Sequence, residues 1–111
     1  MYGKFFKLNP QQIQPLATGL GSCFATDRIV VDGRPVGYMY RETPDDSVDS
    51  GWRFFAGDED EDYMEDPRLQ GIYDVNVIAN YDQAVIAFLS AAVGSVYKRD
   101  ADGVLQAHGG A

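Results

Sequence analysis

The sequence predicts one α+β domain, in which a small antiparallel sheet has two or three short helices packed on one face. Apolar runs that alternate or are β-branched, with glycine turns between them, are concentrated between residues 22 and 55. Helix-capping aspartates and a helical apolar pattern follow between residues 74 and 92. Strands followed by helices and a closing strand favour segregated layers.

The length of 111 residues leaves room for one domain with one core. We expect three segments: an N-terminal lead-in packed on the domain at 1–20, the α+β domain at 21–102, and a flexible Gly/Ala-rich tail at 103–111. No apolar run approaches the roughly 18 residues of a membrane helix, and no signal peptide is visible. The single Cys23 cannot form an intramolecular disulfide. These features predict a cytoplasmic protein.

The first strands are predicted from apolar and β-branched residues. Residues 23–25 form a short apolar strand, and 29–31 are a β-branched run followed directly by Asp32-Gly33. Because Asp-Gly is a favoured pair in tight hairpin turns, we expect a hairpin whose returning strand is 36–41. After a polar loop, residues 52–55 form another strand.

The helices are predicted from their capping residues. A short helix is expected around 61–65, where Pro67 stops it. Residues 75–80 fit both a helical face and a strand alternation, and Asp74 as N-cap favours the helix. Asp82 caps a clearer helix over 83–92, residues 95–99 form the last strand, and the chain then turns at Asp102-Gly103.

Negative charge is concentrated in one segment. Eleven of the seventeen acids but one of the nine bases lie between Glu42 and Asp66, which gives this segment a charge of −10 and the rest of the chain +2. Such a field repels phosphates and attracts cationic partners at low salt. The charge distribution argues against nucleic-acid binding.

The acidic run that continues into Tyr63 is the strongest candidate binding site: Asp58, Glu59, Asp60, Glu61 and Asp62. It could dock on a basic surface of a protein partner, with Tyr63 as an aromatic anchor. The alternative is a solvated loop that aids solubility. A Ca²⁺ loop has little support, because glycine and glutamate are required at its sixth and twelfth positions, where this chain has Tyr63 and Leu69.

A second candidate is a set with the composition of an interaction hot spot: Tyr38, Tyr40, Arg41, Trp52, Arg53 and Phe55. Alternation within each strand predicts that half of these side chains point into the core, and Trp52 with Phe54 is the expected core pair. Arg41 and Arg53 lie beside acidic segments. We therefore expect them to form structural ion pairs with Asp49 or Glu42.

Residue types typical of catalysis are scarce. The single histidine, His108, falls in the expected tail, so neither a histidine-based triad nor a His-ligated metal site is predicted. Gly19-Leu20-Gly21 lacks the remaining residues of a phosphate-binding loop. Cys23 is expected to be a small buried hydrophobe. We predict a non-catalytic protein with no cofactor.

Several ordered blocks between about Gly21 and Asp100 resemble one bacterial family, the immunity-protein-thirty-three-like family: residues 26–28 (TDR), 36–42 (VGYMYRE), 49–59 (DSGWRFFAGDE), 71–76 (GIYDVN) and 78–82 (IANYD). The resemblance implies an α+β domain. It also implies a role as immunity protein against a toxin of bacterial polymorphic toxin systems, and it carries no catalytic residues over to this chain.

The leading hypothesis is therefore a protein that binds a basic toxin domain and occludes it with the acidic segment. A second hypothesis is a stand-alone cytoplasmic domain with a structural or regulatory role, as a homodimer through an exposed strand edge. A third is a module that binds a small molecule or Ca²⁺.

Overall fold

One six-stranded sheet organises the computed structural model, which describes residues 4–108. The strands are β1 (Ser22–Thr26), β2 (Tyr38–Arg41), β3 (Asp49–Phe55), β4 (Gln70–Asp74), β5 (Val96–Arg99) and β6 (Leu105–Ala107). The α-helices are α1 (Asp27–Val30), α2 (Glu61–Glu65) and α3 (Val75–Tyr81). Short 3₁₀ helices span Pro10–Gln12, Pro67–Leu69 and Gln83–Phe88.

The strand order across the sheet is β4-β1-β3-β2-β5-β6. Four of its neighbouring pairs are antiparallel, and β1 with β3 is the parallel pair. The predicted α+β class, with a small and mostly antiparallel sheet and a few short helices, is confirmed.

The core lies between one face of the sheet and the helices. On the sheet side, Met39, Trp52 and Phe54 are at most 1% exposed. Apolar side chains of α1, α3 and the 3₁₀ helix Gln83–Phe88 pack against them, and these include Ile29, Val30, Val75, Ile78 and Val85. Trp52 and Phe54 alternate along β3 and both enter this core, so the expected core pair is confirmed.

The hairpin expected around Asp32-Gly33 is wrong. Ile29 and Val30 belong to α1 and are fully buried, and β2 pairs with β3 and β5 instead. Gly33 does take a positive φ of 78°, but its N–H donates to the carbonyl of Ile29, so the turn ends the helix. A three-residue apolar run is too short to show the period of either a strand or a helix. Burial against α3 therefore determines that Ile29 and Val30 are helical.

Two strands were not predicted. Gln70–Asp74 forms β4, which pairs with β1 along its whole length. Leu105–Ala107 forms β6 inside the segment expected to be a flexible tail, and the side chain of Leu105, its first residue, is buried. Neither segment is rich in β-formers, so neighbouring strands rather than propensity determine them. Residues 109–111 of the expected tail lie outside the described residues.

The capping predictions are confirmed. Asp74 accepts a hydrogen bond from the N–H of Asn76 (2.8 Å) at the start of α3, and Asp82 accepts one from the N–H of Ala84 (3.1 Å). The helix expected over 83–92 is shorter than predicted, because its regular part is the 3₁₀ helix Gln83–Phe88. The short helix expected around 61–65 is α2.

The N-terminal arm, residues 4–20, lies on the helix side. The N–H of Lys7 donates to the carbonyl of Val30 (2.8 Å), and the N–H of Leu8 donates to the Tyr81 hydroxyl (2.9 Å). The Asn76 side chain accepts from the backbone of Leu16 and Ala17, both at 2.8 Å. In the part of the chain that the structure describes, no helix is long and apolar enough to cross a membrane.

Cys23 is 1% exposed, which confirms it as a buried hydrophobe, and burial raises the pKa of its thiol. A thiol-specific chromogenic reagent is expected to leave the native protein unmodified at pH 8, and to modify one thiol per chain once urea unfolds it. Rapid labelling of the native protein at the denatured rate would contradict this burial.

Candidate functional site

The second face of the sheet, opposite the helices, is the candidate binding surface. We call it the open face, and its side chains come from five neighbouring strands: Phe24, Tyr38, Tyr40, Arg53, Phe55, Ile72, Val96 and Lys98. Ile72 is 67% exposed, and the aromatic side chains of this face are half-buried. The alternation that buries Trp52 and Phe54 in the core is the reason that Phe55 and Arg53 lie here.

Strand register places the side chains of the open face in rows. One row runs across five strands in the order Ile72, Phe24, Arg53, Tyr40 and Val96. Directly opposite residues of antiparallel strands have their Cβ atoms about 4.5–5.5 Å apart, so the members of this row are neighbours across the sheet. The open face is therefore a continuous surface.

Four aromatic rings form the centre of the open face, and Phe55 touches the other three. Its ring centroid lies 5.6 Å from those of Phe24 and Tyr38 and 5.8 Å from that of Tyr40. The ammonium of Lys98 lies 5.6 Å from the Tyr38 ring centroid, a cation–π distance. Rings held by one another in this way are preorganised for contact.

Arg53 lies at the carboxylate-rich end of the open face. Its guanidinium donates two hydrogen bonds to Asp49 (2.9 and 2.8 Å) and one to Glu42 (2.6 Å), and Asp45 lies 3.8 Å away. The expected ion pairs of Arg53 with Asp49 and Glu42 are confirmed. The hydrogen bonds from Arg53 hold the pKa of Asp49 well below its usual range, and those carboxylates raise the pKa of Arg53.

The carboxylates near Arg53 come from the loop between β2 and β3 and from the first residue of β3, and we call them the hairpin acids: Glu42, Asp45, Asp46 and Asp49. Asp46 accepts hydrogen bonds from the N–H groups of Val48 (3.0 Å) and Asp49 (2.9 Å). Asp49 accepts from the N–H groups of Asp45 and Gly51, both at 2.9 Å. These bonds fix the loop and leave the Asp45 side chain 88% exposed.

Arg41 does not form the ion pair expected for it. It belongs to the core side of β2, where its guanidinium donates to the carbonyls of Ser50 (2.9 Å) and Ala91 (2.8 Å). It also lies 5.8 Å from the Trp52 ring centroid. Arg41 therefore joins the sheet to the segment after the 3₁₀ helix Gln83–Phe88.

The six acids between residues 58 and 65 divide into two groups of three. Asp58 forms ion pairs with Arg28 (3.2 Å) and Arg34, and Asp60 accepts from the N–H of Tyr63 (2.8 Å) as N-cap of α2. Glu59 accepts from the N–H groups of residues 56 and 57 and from the hydroxyl of residue 26. These three carboxylates hold the loop in place, whereas the α2 acids are exposed: Glu61, Asp62 and Glu65.

Tyr63 is half-buried, with the guanidinium of Arg28 4.5 Å from its ring centroid. Burial raises the pKa of its hydroxyl. Two alternate acids of the run have separate structural uses, because Asp58 pairs with Arg28 and Asp60 caps α2. Among residues 4–108 no group of three His, Cys, Asp or Glu side chains is placed to hold a metal ion.

Along the chain, exposed acids occur on both sides of the seven-residue strand β3. Glu42, Asp45 and Asp46 precede this strand, and the α2 acids follow it. Arg53 and Phe55 of the open face belong to the strand between them.

Four residues of the open face were not predicted from the sequence: Phe24, Ile72, Val96 and Lys98. Alternation in residues 23–25 could have separated Phe24 from its buried neighbours, and the register of β5 follows once β2 is assigned. Ile72 carries no such signal, because β4 itself was not predicted.

The model of the Immunity protein Imm33 domain matches residues 23–108, which include β1 from its second residue, the other five strands and all three α-helices. No curated protein and no solved structure gives a significant match to the chain. A match over this share of the 111 residues, to a model of the same family that the sequence blocks resemble, leaves one conclusion. The chain belongs to the Immunity protein Imm33 domain family.

Proposed function

We propose that this protein is a non-catalytic immunity protein of the bacterial cytoplasm, which binds a cognate toxin and occludes a basic surface of it with the acidic segment Glu42 to Asp66. The observation that carries the proposal is the division of the acids within that segment. Asp58, Glu59 and Asp60 stabilise the loop, which leaves the α2 acids displayed on a fixed backbone.

Fixed and exposed carboxylates suit inhibition by occlusion. Complementary charge steers the two proteins together and raises the association rate at low salt. Because the carboxylates are already ordered, binding costs less conformational entropy than it would for a mobile acidic tail. A toxin whose own substrate is anionic has a basic cleft, and such a cleft is the surface that these acids complement.

Reversing one exposed charge is expected to slow association. Asp62→Lys should reduce the association rate constant with the cognate toxin domain about tenfold at low salt, because steering changes association rates by factors of roughly 10 to 1,000. The dissociation rate should change less. Stopped-flow or surface plasmon resonance measurements between 20 and 500 mM NaCl check both rates, and the toxin domain is obtained by low-salt capture with the tagged protein.

Asp102→Lys is the matched control, because it changes the net charge equally from an exposed position outside the segment. Its association rate should stay within about a factor of two of the wild type. Equal slowing by both variants would mean that net charge alone acts and that the α2 acids are not the contact. Recovery of only the protein itself, with a dimer mass by analytical ultracentrifugation, would favour the homodimeric alternative through the edge strands β4 or β6.

A further inference from the structure

We propose that the open face is the centre of the toxin interface, and that it receives an arginine or lysine side chain of the toxin between Phe24, Ile72 and the hairpin acids. This inference rests on the proposed function and specifies its contact surface. It differs from docking through the α2 acids alone, because the critical contact then lies on the sheet.

The open face is an apolar surface that the helices do not cover. The core face of the sheet is covered by helices, whereas the open face presents the rings of Phe24, Tyr40 and Phe55 and leaves Ile72 67% exposed. A contiguous apolar patch with a polar rim marks an interaction site more often than isolated exposed residues do. Aromatic side chains that are already packed also lose little entropy on binding.

The carboxylate-rich end of the open face carries an excess of negative charge. Three carboxylates, from Glu42, Asp45 and Asp49, share the single guanidinium of Arg53, so two negative charges there have no cation of their own. Asp45 makes only the 3.8 Å approach and is 88% exposed. A cationic side chain of a partner would supply the missing charge.

The carboxylate-rich end of the open face is concave. A shallow depression of about 240 Å³ is lined by Phe24, Ile72, Arg53 and the hairpin acids, together with Ser22. An arginine that entered it would donate to the carboxylates and stack its planar guanidinium on an aromatic ring. A carboxylate of a partner would be repelled, and a neutral apolar group would desolvate the acids without compensation.

Charge also decides between a toxin and a second copy of this chain. A second copy has a net charge of −8 and would bring its own acidic segment towards the open face. Like charges juxtaposed across an interface are unfavourable. The occupant that fits the open face is therefore a basic protein surface.

The first test uses short peptides and does not require the toxin. In ¹H–¹⁵N spectra of the labelled protein, the blocked peptide Ac-Gly-Arg-Gly-NH₂ is expected to shift the amide signals of Phe24, Tyr40, Arg53 and Ile72 at millimolar concentrations. The same peptide with citrulline, which keeps the shape and removes the charge, should shift them at least fivefold less. Shifts confined to α2, or equal shifts with both peptides, would overturn the assignment.

The second test uses the toxin recovered by capture. Ile72→Arg adds bulk and positive charge to the open face at an exposed position, so the fold is retained, and it should weaken toxin binding at least about 30-fold, as for a central contact. Phe5→Arg makes the same kind of change at a residue that is 91% exposed on the N-terminal arm, and it should bind like the wild type. Asp45→Lys reverses the charge of a hairpin acid that lines the depression, with at least tenfold weaker binding expected.

Unfolding temperatures within about 2 °C of the wild type verify that these variants fold. If Ile72→Arg and Asp45→Lys bind the toxin as tightly as Phe5→Arg does, the open face is not the interface. The proposed function then still stands if Asp62→Lys slows association. If no variant in either region affects binding, both the acidic-surface mechanism and the open-face assignment are wrong.

Discussion

Asp49→Ala is expected to lower the free energy of unfolding by about 3 kcal/mol, the low end of the range for breaking a buried ion pair. The side chains of Asp49 and Arg53 are each 9% exposed and share two hydrogen bonds. Alanine also removes the acceptor for the N–H groups of Asp45 and Gly51. Glu42 still accepts from Arg53, which limits the loss. Urea denaturation followed by circular dichroism measures the change.

Asp45→Ala is the matched control in the same cluster. Its carboxylate is 88% exposed and 3.8 Å from Arg53, so we expect less than about 0.5 kcal/mol, as for surface ion pairs. If the two alanine variants were equally stable, the hydrogen bonds to Asp49 would contribute nothing beyond surface charge.

The Asp49–Arg53 pair also makes stability depend on pH. Because the folded-state pKa of Asp49 is lowered from 3.8, the unfolded chain binds the proton more readily, and the contribution is present above about pH 3.8 and is lost as pH falls further. Asp49→Ala should therefore show a shallower loss of stability between pH 5 and pH 2. Asp66, whose pKa Arg68 lowers to about 2, and Asp100 retain part of the slope in the variant. Unfolding curves at four pH values compare the two proteins.

Trp52→Ala is expected to cost about 4 kcal/mol, because it removes the largest fully buried side chain of the core. The indole packs on Phe54 and Tyr97, with ring centroids 6.0 and 6.5 Å away, and its Nε1 donates to the carbonyl of Leu89 (3.1 Å). Domains of this size are stable by roughly 5–15 kcal/mol, so a large share of the total is lost. Thermal and urea unfolding both measure it.

Trp52→Phe separates packing from hydrogen bonding. It keeps an aromatic ring in the cavity but leaves the Leu89 carbonyl without its donor, so we expect a loss of about 1–2 kcal/mol. A loss as large as that of the alanine variant would mean that the indole N–H, and not burial, dominates at this position.

The features that a strong local pattern determines were predicted correctly from the sequence. Alternation in residues 52–55 separated Trp52 and Phe54 in the core from Arg53 and Phe55 on the opposite face. Asp74 and Asp82 were identified as caps because a short acceptor side chain before an apolar run has one dominant local use. The ion pairs of Arg53 followed from neighbouring acids in the same hairpin.

The features that depend on contacts between distant parts of the chain were not predicted correctly. Ile29 and Val30 of the β-branched run are helical because α3 buries them, and β4 forms because β1 lies beside it. In the acidic run, five similar carboxylates gave no sign that Asp58 would pair with Arg28 and Arg34, which precede it by 24 residues or more. The exposed acids could be separated from the structural ones only after the chain was folded.

The position of β1 has a consequence for synthesis of the protein. Both of its neighbours, β3 and β4, come later in the chain, and the second of them ends at Asp74. At about 5–20 residues per second, a ribosome needs roughly 2–10 s to proceed from the end of β1 to the end of β4. The open face, with side chains from β1 to β5, is therefore assembled only after Arg99, the last residue of β5, has been made. Until β3 and β4 are made, the backbone N–H and C=O groups on both edges of β1 have no partner strand, so this segment is open to wrong pairing early in synthesis.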